Sequence, residues 1–477
     1  MLFNSIHFAV FLPIVFIFYW IAGNRSLKFQ NLVLLVSSYY FYAQWDWRFL
    51  FLLIFSTLLD FFTGIEIHKA KTQGKRKFWL WLSIAINLGF LGVFKYYNFF
   101  ISSFEDGLSN LGIEINFYTL SIILPVGISF YTFHGLSYII DIYYNRINPE
   151  KNFTHYSIFV SFFPLLVAGP IERGPHLLPQ IRCRRQFNYL QAVDSLKQIL
   201  WGLFKKIVIA DNCAETVNRI FDNYQDYSGS TLVVGAFLFA FQIYCDFSGY
   251  SDIALGTGRL FGIELLKNFS FPYFSRDIAE FWRRWHISLS SWFKDYVYIP
   301  LGGSKGGVWM KIRNTFIIFL LSGLWHGANW TFIFWGLLNA VYIMPSILRN
   351  TNRSNLDIVA VGKSLPSLGE FFSIIITFSL TSVAWIFFRA ENIQQAIEYI
   401  SRMFFKSLFS IPSILPSALM IIILFFIIVE WLGREDKYAI EKFALNSLHL
   451  RYAFYIFLVI LILVFAGNKE QFIYFQF

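Results

Sequence analysis

Ser322-Gly323-Leu324-Trp325-His326-Gly327-Ala328-Asn329-Trp330 lies between two apolar runs, Phe316-Ile317-Ile318-Phe319-Leu320 and Phe332-Ile333-Phe334-Trp335. Such runs belong inside a bilayer, where an ionisable side chain is expensive and marks a functional site by default. Histidine is also the side chain best able to accept and return a proton near neutral pH. The competing reading is a core histidine satisfied by a nearby hydroxyl or amide. Continued as one helix, the segment places Ser322, His326 and Asn329 at i−4, i and i+3 on one face. Gly323, Gly327 and Ala328 thin that helix and leave room for a substrate or another backbone.

The rest of the chain has the same character. Of its 477 residues 56% are hydrophobic and 59 are phenylalanine, while only 14% are charged, against about 25% in soluble domains. That excludes a soluble protein and predicts an all-α polytopic membrane protein. The net charge of +10 sits in a few loops. It therefore points to cytoplasmic loops rather than to nucleic acid. Cys183, Cys213 and Cys245 share no motif spacing, so neither a disulfide framework nor a metal site is expected. Phe8 to Ile21 lacks the basic start and cleavage site of a secretory signal and is expected as a retained first helix.

Apolar spans are expected near 6–22, 30–45, 48–65, 78–101, 118–144, 197–213, 230–262, 312–329, 331–348, 366–389, 415–432 and 450–467, about 11–12 transmembrane helices in all. The 230–262 run is one tilted helix or two short ones. Residues 157–171 are too short to cross and suit a re-entrant segment. The basic loops at 69–77, 172–206 and 264–313 are assigned to the cytoplasm, which puts the N-terminus outside. The whole chain, 1–477, is expected to be one membrane domain.

Within the 264–313 loop, Asp277 and Glu280 suggest a capping box at a helix start. Phe281, Trp285, Leu289, Trp292 and Tyr296 recur at helical spacing, with Arg283, Arg284 and Lys294 on the other side. This predicts one amphipathic helix over 276–300 lying along the membrane interface. It is either an anchor or a cationic floor for a phosphate-bearing donor. His286 on this helix is a second candidate site residue or an interfacial one. Other polar residues in apolar runs are His134, Asp141, Glu172, Asp246 and Asp252. The last two either orient a histidine or serve as polar glue between helices.

Four stretches resemble the membrane-bound O-acyltransferase family, in its bacterial alginate O-acetyltransferase-like branch. They are Phe163-Pro164-Leu165-Leu166-Val167-Ala168-Gly169-Pro170-Ile171, Gln242 to Asp252, Phe281-Trp282-Arg283-Arg284-Trp285-His286-Ile287-Ser288-Leu289-Ser290, and Gly323-Leu324-Trp325-His326-Gly327. Residues 1–345 carry the resemblance, and 346–477 agree mainly in hydropathy. Cys245 stands where an aromatic residue is expected. The resemblance implies a ring of helices with a thin centre, His326 as the catalytic histidine and His286 as the second signature residue. Ser322, Trp325, Asn329, Asp246 and Asp252 are the expected supporting residues, and Arg283, Arg284 and Lys294 the expected donor-binding ones. It further implies acetyl-CoA or another acyl-CoA as donor substrate with no bound cofactor, a bacterial inner membrane location, and an extracytoplasmic esterase-like partner. The acceptor would be an exported polysaccharide. D-alanyl or other acyl transfer to a teichoic acid or lipid, and proton-coupled transport, are the rival readings.

Overall fold

The computed structural model describes all residues except 24, 25, 116, 122, 167, 168, 444–446, 468, 469, 471 and 474–477. Val167 and Ala168 of the first family-like stretch therefore lie outside the described residues. Among the described residues the regular structure is helical throughout. Five helices are long and apolar enough to cross a membrane: Arg48–Lys69, Gln73–Ser109, Gly229–Leu260, Trp330–Leu348 and Leu368–Arg389. Ile6–Ile21, Ser417–Leu432 and Leu448–Val464 are shorter apolar helices. The polytopic all-α expectation holds.

The chain forms two compact units, Met1–Ala192 with Thr257–Leu266, and Val193–Gly256 with Lys267–Phe477. In the first unit the Arg48–Lys69 helix buries Ser56, Thr57, Asp60 and Thr63. Asp60 accepts hydrogen bonds from Ser83 Oγ at 2.6 Å and Asn87 Nδ2 at 2.8 Å, while Ser56 Oγ donates to Asn87 Oδ1 at 2.8 Å. Polar links of this kind join helices where burial of apolar surface gives no preference for a protein neighbour over lipid. Gly135 permits the approach of the Ile128–Tyr143 helix, because any Cβ there would overlap the Asp60 carboxylate. That helix begins ten residues later than the expected 118–144 span. Pro125 and the left-handed Gly127 (φ 74°) set its start, since proline disfavours helix at the residue before it.

Residues 157–171 take in the buried end of one short helix, Phe153–Ser161, and another, Phe163–Leu166, in keeping with a segment too short to cross. The 230–262 run is one continuous helix of 32 residues, Gly229–Leu260. At 1.5 Å per residue it is about 48 Å long, well beyond the hydrocarbon core of roughly 30 Å. The basic residues near 73–77 open a helix, for Thr72 Oγ1 accepts from Lys75 N–H and caps Gln73–Leu91.

Candidate active site

The Gly307–His326 helix ends at His326. Gly327 is extended (φ −161°, ψ 153°), and its N–H donates to Gly323 C=O at 3.3 Å. The chain then turns, and Asn329 caps the Trp330–Leu348 helix by accepting from Thr331 N–H at 3.0 Å. Asn329 Nδ2 donates to Glu391 C=O at 2.9 Å. The expected single helical face is thereby corrected. Asn329 does not follow His326 on one helix, because the first helix stops at Gly327 and an asparagine is a favoured cap for a new one. The space left by the small residues is also assigned. A Cβ on Gly323 would overlap the Phe332 carbonyl, and one on Gly336 the Phe319 carbonyl. These glycines admit a neighbouring backbone, not a substrate. Ser322 is buried one turn before His326.

His326 is 3% exposed and enclosed by rings. Trp335 stands perpendicular to it at 5.0 Å, Phe388 at 5.3 Å and Trp325 at 4.9 Å. Trp325 also lies 5.8 Å from His286, so one indole packs near both imidazoles. His286 is itself buried, 4.7 Å from Phe247. Among the described residues neither of its ring nitrogens has a hydrogen-bond partner. Burial lowers its pKa and keeps the imidazole neutral.

The predicted 276–300 helix is corrected. It is broken into Ile278–Arg284, Ile287–Phe293 and a π-helical turn Lys294–Tyr298. Trp285 is extended and His286 left-handed (φ 43°, ψ 53°) at the first break. Phe281, Trp285, Leu289 and Trp292 face the protein interior rather than the bilayer surface. Trp285 packs 4.9 Å from Trp385 and 5.0 Å from Phe269. Asp277 accepts from Glu280 N–H at 2.7 Å as the expected cap. The Glu280 side chain, however, holds Arg276 at 3.0 Å and Arg284 at 2.8 Å.

The three cations therefore do not form one floor. Arg284 is buried against Glu280 and the Asp357 carbonyl. Arg283 donates to the carbonyls of Asn352 and Asn355 at 2.8 and 2.7 Å. Lys294, exposed, lies 3.5 Å from Asp295.

Asp246 and Asp252 are bound by lysines that the sequence reading passed over. Lys206 lies 2.7 Å from both Asp246 and Asp211, and Asp246 also accepts from Ile473 N–H at 2.7 Å. Asp252 takes Lys205 at 2.5 Å and Gln198 at 2.9 Å. Two lysines inside the apolar 197–213 run were the signal, since buried cations need carboxylate partners. Glu430 was missed as well; it accepts from Tyr244 Oη at 2.7 Å. In the first unit His134 accepts from Glu172 N–H at 3.0 Å, and Asp141 pairs with Arg146 at 3.0 Å. These are structural polar contacts.

Comparison with known proteins bears on the same residues. Residues 10–388 match the sequence model of the membrane-bound O-acyltransferase family. A Pseudomonas aeruginosa protein named "Probable alginate O-acetylase AlgI" is 37% identical over 403 residues, covering 84% of this chain and 74% of that protein. A Helicobacter pylori protein named "Peptidoglycan O-acetyltransferase" is 36% identical over 432 residues, 84% of this chain and 80% of its own. A Streptococcus thermophilus protein named "Teichoic acid D-alanyltransferase" is 31% identical over 296 residues, 57% and 69% of the two chains.

Proposed function

The chain belongs to the membrane-bound O-acyltransferase family, and from that premise we propose that it takes an acetyl group from acyl-CoA on the cytoplasmic side and passes it towards hydroxyls of an exported polysaccharide. The observation that carries this reading is the ring-enclosed His326 at a helix end, packed on an indole that also lies near the buried His286. Acetyl is the acyl group favoured, because the relatives named as O-acetylating enzymes are 36–37% identical over 84% of the chain, whereas the D-alanyltransferase matches over 57%.

In this reading neutral His326 accepts the proton of an attacking hydroxyl as its oxygen bonds to the thioester carbonyl carbon. The tetrahedral adduct then collapses, the carbon–sulfur bond breaks, and the imidazolium returns the proton to the thiolate. General-base help of this kind contributes roughly 10²–10⁴ in rate. His286 completes the site beside Trp325. Asn329, whose amide caps the next helix and donates to Glu391 C=O, serves to shape the turn after His326. Arg283 and Arg284 hold the insert in shape, and exposed Lys294 is left as the donor-phosphate contact. The chain acts as one multi-pass acyltransferase domain of the inner membrane with its N-terminus outside, handing acyl groups to an extracytoplasmic esterase-like partner. Purified protein in detergent, given acetyl-CoA and no acceptor, is expected to release CoA slowly by hydrolysis. Absence of thioester cleavage with and without a polysaccharide acceptor would contradict the reading.

A further inference from the structure

The break at His286 is held open by a segment outside the family-like stretches. Residues 268–270 run beside residues 284–287 and bond to them on both sides of the break. Ser270 N–H donates to Arg284 C=O at 3.0 Å, and Ile287 N–H donates to Asn268 C=O at 2.8 Å. The Asn268 side chain, 0% exposed, adds two more links. Ser288 Oγ donates to its Oδ1 at 2.6 Å, and its Nδ2 donates to Ser251 Oγ at 3.1 Å on the Gly229–Leu260 helix. One residue thus holds the backbone after His286 through its carbonyl, and through its side chain the second residue of the following helix and the long Gly229–Leu260 helix.

His286 needs such a clamp. Its left-handed backbone (φ 43°) is uncommon for a residue with a side chain. Such conformations persist only where the surroundings impose them, and they cluster at functional sites. Its ring is not anchored through its own nitrogens, for neither has a hydrogen-bond partner among the described residues. Phe247 and Trp325 flank it by ring contact alone. The position of the imidazole is therefore set by its backbone together with these rings. We infer that Asn268 is a positioning residue for acyl transfer, its side chain tying Ser288 Oγ to Ser251 Oγ and so holding the backbone carbonyl that receives Ile287 N–H, which keeps the His286 ring aimed at the reacting groups. This rests on the reading of His286 as part of the transfer site.

The test compares His286→Ala, Asn268→Ala, Asn268→Asp, Ser288→Ala and the double variant Asn268→Ala/Ser288→Ala, measuring kcat and KM for acetyl-CoA per folded molecule. Misplacement of a reacting group by about 1 Å costs on the order of 10²-fold in rate. Asn268→Ala should accordingly lower kcat by roughly 10- to 100-fold with KM unchanged. Asn268→Asp, which keeps an acceptor for Ser288 Oγ, should recover part of that loss. Ser288→Ala removes one bond and no backbone contact, so it keeps the test decisive even where Asn268→Ala does not fold. Its effect should be absorbed in the double variant, because linked residues are non-additive. Wild-type kcat in Ser288→Ala, or losses confined to the folded fraction, would overturn the clamp while leaving the role of His286 intact. Full activity in His286→Ala would overturn both.

Discussion

The indole of Trp325 and the imidazole of His286 lie 5.8 Å apart with their planes inclined at 60°, and the same indole stands 4.9 Å from His326. A single aromatic ring thus links a short interior helix to the end of a long one. Replacing Trp325 by alanine should free both imidazoles and lower kcat by roughly 10²-fold, the penalty of a small misplacement. Trp325→Phe, which keeps a ring near both, should retain most of the activity. Equal rates for the two variants would show that the ring has no positioning role.

Gly323 and Gly336 should tolerate no side chain. A Cβ at either would meet a carbonyl of the opposing helix, and close approach of small residues is what binds helices within a bilayer. Gly323→Ala is expected to lower the yield of monodisperse protein on size-exclusion chromatography far more than Ala328→Gly does. A normal elution profile for Gly323→Ala would mean that the two helices can separate at little cost.

The Lys205–Asp252 pair is largely buried, with side chains 3% and 14% exposed. Removing one partner of a buried pair leaves an uncompensated charge and costs about 3–5 kcal/mol, whereas removing both is often nearly neutral. Lys205→Met should therefore depress the melting temperature in detergent, and Lys205→Met/Asp252→Leu should restore much of it. A double variant as unstable as the single one would contradict this account.

His176 and Glu172 supply a pH dependence. His176 Nδ1 lies 2.8 Å from the buried Glu172 carboxylate, whose other oxygen accepts from Leu266 N–H at 2.6 Å. The hydrogen bond to Glu172 raises the His176 pKa, against partial desolvation, with smaller support from the charges of Glu172 and Glu264. A raised folded-state pKa gives stability that is fully present below the unfolded value, about 6.5. That stability is lost as pH rises through the folded value. Melting temperature should fall between pH 6 and pH 8 in the wild type and fall less in His176→Gln. Parallel curves for the two proteins would remove His176 as the source.

Much of this was legible in the chain. Apolar runs located most of the long helices, with larger misses at the 118–144 start and the 78–101 ends, because a bilayer demands long uninterrupted helical segments. His326 stood out because an ionisable side chain in such a run is costly. What escaped notice depended on contacts distant in sequence. The i, i+4 aromatic spacing from Phe281 to Tyr296 reads as one helix, and nothing local announces a left-handed residue at His286. Asn268, some twenty positions earlier, imposes it. Glu280 likewise takes up Arg284, which periodicity alone assigns to an exposed face. The break after His326 was within reach of sequence reasoning. Gly327 followed by Asn329 is a helix stop and start, but the apolar runs on either side mask it.

The central claim is that His326 moves the proton in acyl transfer, and the direct measurement is acetyl transfer from acetyl-CoA by His326→Ala in detergent, read beside its melting curve. The account predicts a loss of roughly 10²–10⁴-fold in kcat, with membrane insertion and melting close to wild type. Wild-type turnover in a well-folded His326→Ala protein would contradict it.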